Sequence, residues 1–164
     1  MEAANWMKAN GRWEYMVPHN KFGPGVSFAH QLADFWPDDT IGIIKVSRGS
    51  TGISAFEKNW SFERAERSKD GWKGSLYKDL MSAVAEAKRI SNPEFCGFVW
   101  KQARDDGKKA LAEEYYDNFT QLVSDLSADL GVSDLPTFIP NYATDEELFA
   151  RFLSIIGQDQ RREA

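Results

Sequence analysis

From Ser27 onward the apolar residues recur at helical spacing. Phe28, Leu32, Phe35 and Trp36 fall on one face, with Ser27 placed to cap the helix and Pro37 to stop it. Pro37, Asp38 and Asp39 read as a turn. Ile41 to Val46 is then a nearly continuous apolar run, the pattern of a strand buried on both faces of a parallel sheet. Residues 47–74 lose all period, being rich in Gly and Ser at first and charged later. They predict a long loop with one possible helical turn, and a loop of that length in a compact domain is usually functional.

Periodicity returns with Leu76, Leu80, Val84 and Ala87, flanked by Tyr77 and Met81, which predict a helix over 75–90. Phe95 to Trp100 reads as a second buried strand, placing Cys96 and Trp100 in the interior. Leu111, Tyr115, Phe119, Leu122, Leu126 and Leu130 mark a long amphipathic helix that Gly131 closes. Pro136 to Pro140 is a short strand bounded by prolines, which cannot donate to a ladder. Thr144 and Glu147 form a capping box ahead of Leu148, Phe149, Phe152 and Ile156, with Gly157 as terminator. Residues 1–25 show no period and are expected to be irregular. Alternating helix and strand predict an α/β fold, three layers (α/β/α) around a mainly parallel sheet.

Composition narrows the function classes. A chain of 164 residues, 42% hydrophobic and 27% charged, fits one domain, residues 1–164, with one core. A net charge of −5 without a basic stripe argues against nucleic acid as a partner. No apolar run approaches the ~18 residues of a membrane span. The N-terminus lacks a basic stretch followed by an apolar one, so no signal peptide is read and these residues are expected to stay in the cytoplasm. The single Cys96 excludes an internal disulfide framework and any CxxC motif. With His19 and His30 as the sole histidines, a zinc site would lean heavily on carboxylates, and neither metal nor organic cofactor is expected.

The nucleophile elbow GxSxG, the phosphate loop GxxxxGK[ST] and the zinc motif HExxH are all missing. Gly23 to Phe28 imitates half of a dinucleotide fingerprint, but no strand is expected before it and Phe28 stands at the third glycine. Two strand ends hold candidate chemistry, because ligands of open α/β sheets sit outside the carboxyl ends of strands. Ser47-Arg48-Gly49-Ser50-Thr51-Gly52 offers backbone N–H groups and hydroxyls, the material of an oxyanion hole. Lys101-Gln102-Ala103-Arg104-Asp105-Asp106 offers an amide, a cation and carboxylates. Each also reads as a plain connecting loop. Trp60 and Trp72 are placed either to stack on a sugar ring or to cover the long loop's own cluster.

GPGVSFAHQLA followed by KVSRGST resembles the GPxxSFxxxLA … KxxxGGT pattern of the sialate O-acetylesterase-like branch of the SGNH hydrolases, which are carbohydrate esterases of flavodoxin-like fold. GFVWKQARDD resembles that branch's GxxWxQGExD segment, and YYDNFTQLVSDLSADLGVSDLPTFIP its following Y–NL–LI–DLR–DLG–LP passage. The resemblance covers most of residues 22–140. It implies an enzyme that hydrolyses O-acetyl esters of sugars, with Gly49 and Gln102 as oxyanion donors and Thr51 supporting the loop. Substrate contacts would come from Thr51, Trp60, Trp72 and Arg104.

The departures are Ser50 for the second Gly, Ala103 for the Gly after Gln102, and Arg104 where Glu is common. The family's GQSNM-like nucleophile segment is not found before Gly23, and no His follows His30 to supply the DxxH base. The expectation is a fold of this type incomplete at both ends, with weak or no esterase activity. Ser47, Ser50 or Thr51 paired with His19 or His30 is the alternative catalytic arrangement. The rival readings are a non-catalytic carbohydrate-binding domain and a fragment of a longer esterase. A fragment's open sheet edge would need a partner chain, missing segments, or residues 1–25 to cover it.

Overall fold

The structure is a computed structural model that describes residues 3–6, 13–15, 25–101 and 113–139. Two compact units emerge. One comprises Met1–Val46 with Asp79–Pro93, the other Ser47–Lys78 with Glu94–Ala164.

In the first unit, strands β1 (Ala3–Trp6) and β2 (Trp13–Tyr15) are antiparallel, with Ala4 opposite Tyr15 and Trp6 opposite Trp13. Strand β3 (Ile41–Ile44) runs parallel to β1, from Ala3 opposite Ile41 to Trp6 opposite Ile44. The sheet order is β2-β1-β3, so β1 is central and lies along one edge of β3. The expectation that residues 1–25 are irregular is therefore corrected at both strands. Their signal was weak because a run of Ala, Ala, Asn and Trp has no clean alternation, and the backbone ladder supplies the order instead. Strand β3 ends two residues before the expected Val46, and its isoleucines are half-buried.

Helix α1 (Gly25–Phe35) packs on β3 and begins before Ser27, so Ser27 sits inside its first turn and not at its cap. The reason lies in the packing. Val26, Ala29 and Ala33, spaced at three and four positions, meet Ile41 and Ile43, and Val26 extends that face by half a turn. The small alanines permit close approach. Phe35 is left 49% exposed, edge-on to a half-buried Trp36 at 5.1 Å. Helix α2 (Phe62–Glu66) and helix α3 (Leu76–Ile90) follow in the chain, and α3 matches the expected 75–90 with Leu76, Tyr77, Ala83, Val84 and Ala87 buried. The Ser75 hydroxyl caps α3 by accepting from the Lys78 N–H at 3.1 Å.

In the second unit, strands β4 (Phe98–Val99) and β5 (Thr137–Phe138) pair in parallel. The Phe98 and Trp100 amides donate to the carbonyls of Pro136 and Phe138, each at 2.8 Å. The expected buried strand over 95–100 contracts to two residues, and Cys96 is exposed, which corrects its placement in the interior. Trp100 is buried as expected. Its ring meets Phe56 edge-on at 4.9 Å, and its indole N–H donates to the Tyr115 hydroxyl at 2.9 Å. Helix α4 (Tyr115–Leu130) buries Leu122 and Leu126 and packs on a short 3-10 helix, Ile53–Phe56. Gly131 ends α4 at φ 80°, its N–H and that of Val132 both returning to the Ser127 carbonyl.

The helix expected over 144–157 lies outside the described residues. Among the described residues no helix is long and apolar enough to cross a membrane. With both strand-to-strand crossovers parallel and helices between them, the chain is an α/β protein.

Candidate functional site

The segment 47–74 is not a plain loop. It holds the 3-10 helix Ile53–Phe56, helix α2 and a second 3-10 helix, Gly71–Lys73. These pieces wrap a buried polar cluster of Thr51, Ser54, Ser68, Asp70 and Lys73. Buried polar groups are costly unless hydrogen-bonded, and buried charges unless paired. Here they are both. The Asp70 carboxylate forms an ion pair with Lys73 Nζ at 2.8 Å and accepts from the Gly52 N–H at 2.7 Å and from Ser68 Oγ at 3.0 Å. Ser68 Oγ in turn lies 3.1 Å from Ser54 Oγ.

The other side of Lys73 faces the turn at Gly49 and Ser50. Nζ donates to the Gly49 carbonyl at 3.1 Å, to the Ser50 carbonyl at 2.5 Å and to Thr51 Oγ1 at 3.0 Å. Thr51 Oγ1 in turn lies 2.9 Å from the Arg48 carbonyl and 3.2 Å from that of Gly49. The carbonyls of Arg48, Gly49 and Ser50 are thus gathered inward on one ammonium and one hydroxyl. Every peptide here is trans and planar, so each N–H opposes the carbonyl of the same unit. The N–H groups of Gly49 and Ser50 are consequently turned outward, on a stretch where residues 47–50 are exposed. Neither has an acceptor among the described residues. Successive backbone N–H groups in a turn are the material from which anion-binding concavities are made.

Ser50 adopts φ 51°, the left-handed region that favours glycine. This gives a physical reason for the second Gly of the GGT pattern, which Ser50 replaces. At Gly49 a Cβ would meet nothing within 4 Å, so the chain itself does not demand glycine there, and the space before the turn is open.

The remaining candidates divide. Thr51 is buried, and its hydroxyl is engaged with the turn. Trp72 is 72% exposed, and its ring centroid lies 5.7 Å from Lys73 Nζ, so it flanks the same ammonium that holds the turn. Trp60 is half-buried, and its indole N–H has no acceptor among the described residues. His30 is exposed on α1. Gln102, Arg104 and His19 lie outside the described residues. Asp70 and Lys73 were missed because SKDGWK reads as a solvated charge run; the one available signal was their i,i+3 spacing. No group of His, Cys, Asp and Glu among the described residues is placed to hold a metal.

Two side-chain networks also brace this unit. Arg64 Nε donates to Glu57 at 2.6 Å, and its Nη2 reaches Asn118 and Glu114, each at 3.0 Å. Arg67 adds a bond to Glu114 at 2.7 Å, and the two guanidiniums hold the Glu114 carboxyl below its ordinary range. The Asp129 carboxylate accepts from Lys58 at 2.6 Å and from the Tyr77 hydroxyl at 2.7 Å. Those bonds, Lys58 first, lower the Asp129 carboxyl. Burial and the bond to Asp129 raise the Tyr77 phenol.

A solved structure of a protein from Arabidopsis thaliana matches this fold with a TM-score of 0.66 at 20% identity. The match covers 92% of this chain and 60% of that one, so the present chain spans about three-fifths of its neighbour. No curated protein matches the sequence. The family model described as carbohydrate esterase, sialic acid-specific acetylesterase, matches residues 1–162. The chain therefore belongs to this carbohydrate esterase family.

Proposed function

We propose that the chain is the scaffold of an esterase acting on O-acetylated sugars, of the sialate or xylan O-acetylesterase type, with weak or no activity of its own. The observation that carries this reading is the turn at 48–51, whose carbonyls are tied inward and whose Gly49 and Ser50 amides face out. An acyl-transfer intermediate places negative charge on oxygen, and outward amides in a fixed frame are what stabilises it. Gln102 supplies the second donor on this reading. Trp72, exposed beside the turn, gives a flat apolar face for a sugar ring, with Trp60 and Arg104 as further contacts.

Activity is expected to be weak because serine chemistry needs a base within reach of the hydroxyl. These 164 residues hold no GQSNM-like segment ahead of Gly23 and no His beyond His30. The exposure of Trp72 also favours a second reading, a carbohydrate-binding domain without catalysis. Labelling the folded chain with a fluorophosphonate probe, read by intact mass, tests the first. Stoichiometric addition to any serine would overturn the inactive reading. No addition, together with a melting temperature raised by an acetylated xylo-oligosaccharide, supports the binding reading. A fragment of a longer esterase predicts neither.

A further inference from the structure

We propose that Asp70 and Lys73 are positioning residues for the outward amides of Gly49 and Ser50, an inference that rests on reading the 48–51 turn as the oxyanion site. The pair is almost wholly removed from water, with side-chain exposures of 2% and 5%. An apolar pair of similar volume would fill such a site at no greater cost, and often more stably. What an apolar pair cannot do is grip carbonyl oxygens. Lys73 Nζ bonds the oxygens of Gly49 and Ser50, and Asp70 fixes both that ammonium and the Gly52 N–H. The turn is therefore held at its centre and at its far end by one ion pair.

The peptide unit joining Gly49 to Ser50 carries the argument. Its oxygen accepts from the ammonium on the inner side, while its N–H is a donor on the outer side. A cation bonded to the oxygen polarises the whole amide, so the Ser50 N–H donates more strongly than an unassisted one. Asp70 and Lys73 thus set both the direction and the strength of a donor they never share a face with.

The test uses the full 164-residue chain, 15N-labelled, titrated with inorganic phosphate as a tetrahedral oxyanion. In the wild type the Gly49 and Ser50 amide resonances shift saturably. Asp70→Asn removes a negative charge beneath the site without changing its volume, and by charge alone would tighten phosphate binding. Positioning predicts the opposite sign, at least a tenfold loss, with those two resonances displaced beforehand and cooperative melting retained. Should that variant fail to fold, the double variant Asp70→Asn, Lys73→Met removes both charges together, leaves the net charge unchanged, and carries the same expected loss. Phosphate affinity equal to or tighter than wild type in the folded variant overturns this inference alone. A wild type whose Gly49 and Ser50 amides ignore phosphate overturns the oxyanion reading and this inference with it.

Discussion

Ser50→Gly should make the protein more stable. Ser50 holds φ 51°, where a side chain's Cβ crowds the following carbonyl at a cost of roughly 1–2 kcal/mol. Glycine escapes that cost but adds freedom to the unfolded chain, worth about 0.5–1 kcal/mol in the other direction. The Ser50 side chain is exposed and no described residue bonds its hydroxyl, so nothing is lost with it. The net gain is about 0.5–1 kcal/mol, or roughly 1–4 °C in Tm for a domain of this size. Urea unfolding would show a higher midpoint with an unchanged slope. Ser50→Ala, which keeps the Cβ, should leave the midpoint where it is. A Ser50→Gly midpoint at or below that of Ser50→Ala would refute the strain argument.

The other predictions concern neighbouring parts of the same unit. Lys73→Met leaves Asp70 charged, buried and without its ammonium, and should cost roughly 3–5 kcal/mol in urea unfolding, most of it recovered when Asp70→Asn is added. Gly131→Ala places a Cβ at φ 80° in open space, so only the backbone suffers, and about 1 kcal/mol should be lost in the same assay. Asp129 has a folded value held below its ordinary 3.8, so the stability it contributes is present above that pH and disappears as pH falls through the lowered value. The urea midpoints of wild type and Asp129→Asn should accordingly differ near neutrality and converge in acid. Trp72→Ala removes an exposed ring and should leave the melting temperature unchanged while abolishing any sugar-dependent rise.

How far the sequence disclosed this molecule depended on the range of the forces involved. Helix α3, helix α4 and its Gly131 terminus were plain because each rests on residues three and four apart, a period visible in any window. The short β5 was visible because prolines bound it. Segment 47–74 was opaque for the opposite reason. Lys73 is justified by two carbonyls and a hydroxyl 22–24 positions upstream, so the same letters read as a surface run until the chain closes on itself. On α1 the expected Leu32 is buried, but the large Phe35 is exposed while the small Ala29 and Ala33 are buried. Ala29 and Ala33 won because close approach of helix to strand excludes bulk. At the candidate site, Gly49 and Thr51 are singled out in the sequence by their order in the pattern it resembles, whereas Asp70 and Lys73, which contact that turn, fall in none of those motifs.

The parallel pairing of β1 with β3 has a consequence for synthesis on the ribosome. Trp6 leaves the exit tunnel about 38 residues ahead of its partner Ile44. At about 5–20 residues per second, roughly 2–8 s pass before β3 can dock. During that interval β2 is, among the described residues, the strand partner of β1 already made, and the row of β1 backbone groups that β3 later pairs is open to water or another chain. Nascent chains crowded on one messenger would offer each other that row. Slowing translation between codons 15 and 41 should therefore raise the insoluble fraction, and binding by a holdase chaperone should lower it.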